Sequence, residues 1–234
     1  MSTLPERAAG TLRRQIVGPD AGLVVQRLST DAMPARHRYA FWKEAVCDLF
    51  VGIDCNRSAD DPFHGTAVRR SMAWAPEETA SFIEVESVAQ TAARMPRHIR
   101  RAADAWIMLV VQTAGPAVLR QDGRVAALRP GDMVLFDSTR PYDFAFDGPF
   151  RQIVMKIPHH RIATRLPPPS LWLGRPLRAS SPLGKVLAAH VAVMSSEIEA
   201  IDPTVRSGLV DRTIDLVAFT FAGLQSDLGD AAST

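Results

Sequence analysis

The stretch "LRPGDMVLFDSTRPYDF", residues 128–144, holds two turns with a strand between them. In Pro130-Gly131-Asp132 the proline fixes the approach, and the glycine can take backbone angles denied to other residues. "DMVLFDS" follows as a strand, Pro141 marks a second turn, and "YDFAFDG" opens another strand. Short strands packed this closely point to a barrel or sandwich rather than to a parallel sheet.

Outward from that core the same texture runs over residues 51–157. Four candidate strands precede it: "VGIDC", "FHGTAVRRSMAW", "ASFIEVESVAQTAAR" and "AWIMLVVQTAG". "PAVLRQ" and "RVAALRP" lead directly into it, and "FRQIVMKIP" closes the run. Asp122-Gly123, between two short strands, is the favoured two-residue hairpin because both residues tolerate positive φ. Ahead of the strands, "STDAMPARHRYAFWKEAVCDLF" predicts a helix over about 33–50, with Thr30 and Asp31 as cap candidates and Pro34 near the first turn. Tyr39, Trp42, Val46 and Leu49 recur at helical spacing and predict one packed face.

After Pro158 the strands stop. "HHRIATRLPPP" reads as a short helix or turn with a proline stop, and two longer helices follow. Ser181 before Pro182, and Asp202 before Pro203, mark their starts. Val186, Ala189 and Val193 trace one face, while Leu209, Ile214 and Val217 trace another. The short connection folds the pair antiparallel, and its apolar surface exceeds what one partner helix needs, leaving a face for the barrel or a second subunit. The fold class expected is mainly β with α: a cupin-like barrel or sandwich preceded by one helix and followed by an antiparallel helical pair. Residues 1–22 are expected to be a flexible segment, 23–158 the barrel with its leading helix, 159–225 a helical dimerisation region and 226–234 a linker-like tail.

Composition narrows the function. The chain has 234 residues, 47% of them hydrophobic and 22% charged, as in an ordinary globular protein. A net charge of +2 is too small for a polyanion trap, although arginine is dense in "RMPRHIRRAAD", residues 94–104. That run is either a solvated loop or, through Arg94 and its neighbours, an anchor for an anionic ligand. No apolar stretch reaches the ~18–20 residues needed to span a bilayer, and no secretory h-region opens the chain, so a cytoplasmic protein with Cys47 and Cys55 as reduced thiols is expected.

No catalytic motif stands out. His37, His64, His98, His159, His160 and His190 form no HxH or HxxxH pair, so no metal site and no cofactor are expected. There is no Gly-x-Ser-x-Gly elbow, Walker loop or Gly-x-Gly-x-x-Gly. A small barrel can instead enclose one ligand. Trp74, Phe82, Trp106, Met108, Tyr142, Phe144 and Met155 are the candidate lining, with Arg140, Tyr142, Ser138 and Thr139 as polar groups that either orient a ligand or tie a turn together. Which strand face is inward stays open, because a shift of one residue exchanges the two faces.

"LSTDAMPARHRYAFWKEAV", "MPRHIRRAADAWIMLVVQTAG", "VLRQDGRVAALRPGDMVLFDSTRPYDFAFDGPFRQIVMKIP" and "SPLGKVLAAHV" together resemble the N-terminal sensor domain of AraC/XylS-type transcriptional regulators, over about residues 26–225. The resemblance implies a cupin-like barrel that binds a small-molecule effector, helices that form a homodimer, and DNA reading by a C-terminal pair of helix-turn-helix motifs. That reader would occupy about a hundred further residues, and no recognition helix stands within 1–234. DNA contact is therefore expected only through a region outside this chain, or the chain acts as a co-regulator by forming mixed dimers with a full-length relative. Tyr142, where a metal cupin carries histidine, fits a metal-free effector pocket rather than an enzyme. The alternative is a stand-alone metal-dependent cupin enzyme built on His64 with Asp137 or Glu84. Aromatic acids, sugars, amines and nucleotide second messengers all remain open as effectors.

Overall fold

The computed structural model describes residues 13–15, 22–57, 62–75 and 78–231. The elements in chain order are β1 (Arg13–Gln15), β2 (Leu23–Ser29), α1 (Ala35–Leu49), β3 (Asp54–Asn56), β4 (Gly65–Ala75), β5 (Glu78–Ser87), β6 (Gln90–Arg94) and α2 (Pro96–Ile99). Then come β7 (Trp106–Ala114), β8 (Ala117–Gln121), β9 (Arg124–Leu128), β10 (Met133–Asp137), β11 (Tyr142–Phe146) and β12 (Phe150–Pro158). The chain continues through α3 (His159–Ile162), α4 (Pro169–Trp172), β13 (Pro176–Leu177), α5 (Pro182–Glu197) and α6 (Pro203–Ala231).

The strands form two antiparallel sheets. The larger has the order β1-β2-β4-β5-β12-β7-β10-β13 and the smaller β3-β6-β11-β8-β9. Asp122 and Gly123 turn β8 into β9 at φ 50° and 72°, which matches the backbone twist of the flanking strands. "ASFIEVESVAQTAAR" is two strands rather than one, because the chain leaves the large sheet at Ser87 and enters the small one at Gln90.

The large sheet is buried on both faces, and this organises the molecule. Along β7, Trp106, Met108 and Val110 face the small sheet and α1, whereas Ile107, Leu109 and Val111 face the helices that follow the barrel. β12 divides in the same way, Val154 against Ile153, Met155 and Ile157. A strand buried on both faces reads as a continuous apolar run, as "WIMLVV" does. Two hydrophobic cores result. One lies between the sheets under α1; the other lies between the large sheet and α3–α6.

Several expectations are corrected by packing. Thr30 does not cap α1, because its hydroxyl accepts from Gly65 N–H at 2.9 Å and so ties the end of β2 to β4; Pro34 stands at the N-cap without a side-chain bond. Asp31 pairs with His64 at 2.9 Å instead. Ser181 caps α5 as expected, accepting from Gly184 N–H at 3.0 Å. The segment 226–231, expected as a tail, continues α6 to Ala231. Of the segment expected to be flexible, Arg13–Gln15 pair with β2, while 1–12 and 16–21 lie outside the described residues.

The Pro-Gly-Asp turn is a structural joint. Gly131 sits at φ 91°, where a Cβ would meet the Ala179 side chain at 2.7 Å. The Asp132 carboxylate accepts from Arg129 N–H, Ala179 N–H and the Arg178 guanidinium at 3.1, 3.0 and 2.8 Å. Burial pushes that carboxyl up, but these donors outweigh it and hold it below its ordinary range. The turn thereby fastens β9–β10 to the segment that leads into α5.

Candidate functional site

Between the sheets, under α1, a narrow slot of about 60 Å³ is left open. Its walls are aromatic. Phe136 meets Tyr142 at 4.7 Å between ring centres and Phe144 at 5.4 Å, both edge-on. Phe144 stacks on Phe146, and Phe146 on Phe150. Met108, Val110 and Val154 form the floor, while Trp42 and Val46 from α1, with Phe50 directly after it, form the roof. Gly65 lets α1 come this close, since a Cβ there would meet the Trp42 ring at 2.6 Å.

Polar atoms enter the slot sparingly. Gln90 accepts from the Trp42 indole at 3.2 Å. Gln152 donates to Gln112 at 2.7 Å. The Tyr142 hydroxyl meets no hydrogen-bond partner among the described residues, and burial pushes its pKa well above the phenol range, so it stays protonated. Burial likewise pushes the Cys55 thiol up to about 12. Every group lining the slot is therefore uncharged at neutral pH.

Cations gather at one end, outside the slot. Arg69 donates to the carbonyls of Asp48 and Leu49 at 2.7 and 3.1 Å. Lys156 donates to Phe50 O at 2.7 Å, and its ammonium lies 4.1 Å from the centre of the Trp106 ring. Arg94 donates to Gly52 O and Ser138 O, both at 2.7 Å. Three cations thus face the carbonyl end of α1 and the loop after it, where the helix dipole favours positive charge. Burial, with help from Arg69, lowers the Lys156 pKa to about 8.

The sequence candidates separate accordingly. Met108, Tyr142 and Phe144 line the slot, and Trp106 lies in the same core at its cationic end. Phe82 and Met155 do not, because their strand positions face the helices. Arg94 is 1% exposed, and its Nε and Nη1 donate to two backbone carbonyls, clasping the loop after α1 to the turn after β10. Arg140 pairs with Asp122 beside a surface hollow at the β8–β9 turn. Ser138 accepts from Trp106 N–H, and Thr139 bonds to Asp137, so both tie turns. The side chain of Trp74 lies outside the described residues. Trp42, Val46, Phe50, Gln90, Phe136 and Gln152 were missed as lining. The helical spacing of Trp42 and Val46 marked a packed face, but only the tertiary structure lays that face over the sheet opening.

The residues of the enzyme alternative are dispersed. His64 pairs with Asp31, Asp137 binds Thr139, and Glu84 lies on the helix side, bonded to Arg70 and Ser195. Among the described residues no three His, Cys, Asp or Glu side chains gather as a metal-ligand set.

On the helical pair, Val186, Ala189 and Val193 are exposed on α5, Val186 and Val193 by 56% and 59%. Leu209 is half-buried. Ile214 and Val217 are fully buried against α5 and the sheet, so they hold α6 in place and cannot meet a partner. Phe219, two residues on from Val217, points outward with 66% exposure, as does Leu183 with 40%. His190 on α5 and Thr213 on α6 are bonded at 2.8 Å. No helix among the described residues is long and apolar enough to cross a membrane.

The chain matches the AraC-binding-like domain family over residues 42–221. It belongs to that family. A protein described as "Uncharacterized protein in nit 5'region", from Bacillus sp. (strain OxB-1), is 29% identical over 196 residues, covering 82% of this chain and 72% of that protein. The transcriptional activator NphR of Rhodococcus sp. is 31% identical over 83 residues, which cover 36% of this chain and 25% of the activator. Among solved structures, that of the AraC-like transcriptional activator CuxR superposes with a TM-score of 0.67 at 20% identity, covering 84% of this chain and 70% of that one. AraC-type effector-binding domains of transcriptional regulators are thus the relatives of this chain, and the mixed barrel-and-helix architecture is theirs.

Proposed function

We propose that this chain senses a small organic effector between its two sheets and pairs with a second copy through α5 and α6, so that effector occupancy alters the placement of DNA readers attached beyond it. It acts as a regulator domain rather than an enzyme. The observation that carries this reading is the large sheet buried on both faces: Met108, Val110 and Val154 line the slot, while Ile107, Leu109 and Ile153 on the same strands pack against the helices. A ligand that moves the slot wall moves a sheet on which the helical pair rests.

A polar bridge adds a second link. Arg70 on β4 donates to Glu84 on β5 at 2.7 Å and to Glu199, just beyond α5, at 2.6 Å, and Ser195 donates to Glu84 at 2.9 Å. Coupling of this kind requires different effector affinity for the two arrangements, typically worth about 1–3 kcal/mol.

The pairing surface is the outward stripe of Val186, Ala189 and Val193 with Leu183 and Phe219. Sedimentation equilibrium from low to high micromolar concentration is expected to show a dimer, and Val193→Glu combined with Phe219→Glu is expected to leave a folded monomer. A wild-type chain that stays monomeric at high micromolar concentration overturns the pairing.

A further inference from the structure

The slot is lined by no charged side chain, and this limits what can occupy it. Phe136, Tyr142, Phe144 and Phe146 offer ring faces and edges, and α1 closes the slot with Trp42 and Phe50. Arg94, whose charge acts on Tyr142, stands behind the lining and has its Nε and Nη1 committed to Ser138 O and Gly52 O. Lys156 is held by Phe50 O and the Trp106 ring. An ionised carboxylate or ammonium entering the slot would lose its water and meet no charged side chain in the lining. A sugar would bring several hydroxyls to a wall that offers Tyr142, Gln90 and Gln152.

Size adds a further condition. An apolar cavity that holds benzene measures about 150 Å³, whereas the free space here is about 60 Å³. A ring therefore enters only as the roof yields. Phe50 is the roof residue placed to move: it is half-buried and follows the last residue of α1, whereas Trp42 is 1% exposed and bonded to Gln90.

From this geometry we infer that the slot takes an uncharged, flat, aromatic molecule carrying one hydrogen-bond acceptor, which lies among the phenylalanine rings, accepts a hydrogen bond from the Tyr142 hydroxyl and displaces Phe50. This rests on the sensor reading above and narrows its ligand class: of the effector classes left open by the sequence, it sets aside ionised acids, amines, sugars and nucleotides.

The test is isothermal calorimetry and thermal melting of the full chain with four probes: benzamide, benzoate, benzylamine and methyl glucoside. Benzamide is expected to bind and raise the melting temperature, with the other three at least a hundredfold weaker. Tyr142→Phe, which keeps the ring, is expected to weaken benzamide about five- to tenfold, the worth of one hydrogen bond. Ala92→Leu fills the slot beside Phe144 and is expected to abolish binding while leaving the fold intact, as melting without ligand will show. Benzoate or the glucoside binding as tightly as benzamide, with loss on Ala92→Leu, overturns the class while leaving a sensor barrel. Benzamide binding unaffected by either substitution places the ligand elsewhere and overturns the inference. No binding by any probe overturns it as well, and the sensor reading then stands or falls on whether a broad metabolite panel raises the melting temperature of wild type but not of Ala92→Leu.

Discussion

Arg94→Met is the perturbation that most directly separates a clasp from a ligand anchor. The guanidinium is 1% exposed and makes two bonds of 2.7 Å, to Gly52 O in the loop after α1 and to Ser138 O in the β10–β11 turn. Hydrogen bonds from a charged donor are worth about 1.5–3 kcal/mol each, so two are worth about 3–6 kcal/mol. Against that stands the desolvation of the arginine, which lowers its pKa and which methionine does not suffer. The net loss expected is about 2–4 kcal/mol, because the carbonyl of the buried Ser138 is also left without this donor. For a chain of this size that is a fall in Tm of roughly 4–16 °C. Arg94→Lys keeps the charge but not the fork, so it should reach one carbonyl and lose about half as much. Equilibrium urea denaturation of both variants, followed by far-UV circular dichroism, measures the differences. If Arg94→Met costs less than about 1 kcal/mol while removing the response to an anionic effector, the clasp reasoning is wrong.

Burial lowers the pKa of His190, so the folded state resists a proton that the unfolded chain takes up near its ordinary value. Stability is therefore highest above the unfolded pKa and declines as pH falls below it; denaturation midpoints between pH 7 and 5 should drop in wild type and drop less in His190→Gln, which keeps a donor for Thr213. At Gly65 a methyl group would strike the Trp42 ring at 2.6 Å, so Gly65→Ala should cost about 1–3 kcal/mol by overpacking. Its indole N–H resonance in proton–nitrogen NMR should shift as the bond to Gln90 is strained, and an unmoved resonance would mean that α1 is not seated as described.

Much of the architecture was legible because it is local. Short segments bounded by turn residues predicted the strands, Asp122-Gly123 predicted a hairpin whose positive φ values the structure shows, and Ser181-Pro182 predicted the start of α5. What stayed hidden was direction. "ASFIEV" has apolar residues on both sides of its strand, and nothing in it says that Ile83 and Val85 face the core between the sheets while Phe82 faces the helices. The same holds for α6, where Ile214 and Val217 share an apolar stripe but meet the sheet rather than a partner, leaving Phe219 outside.

Arg94 shows the limit most sharply. Its neighbours in sequence, Arg97, Arg100 and Arg101, made an anion anchor reasonable, yet its donors are taken by carbonyls 42 and 44 residues away. By itself the sequence determined the barrel, its leading helix, the helical pair and the absence of a motif for metal or nucleophilic chemistry, since propensity, turn chemistry and ligand spacing act over a few residues. The tertiary structure alone decided which face of each strand lines the slot and that α1 roofs it. It also turned the cations onto backbone oxygen and left the slot lining uncharged, because burial and hydrogen-bond satisfaction depend on groups brought together from distant parts of the chain.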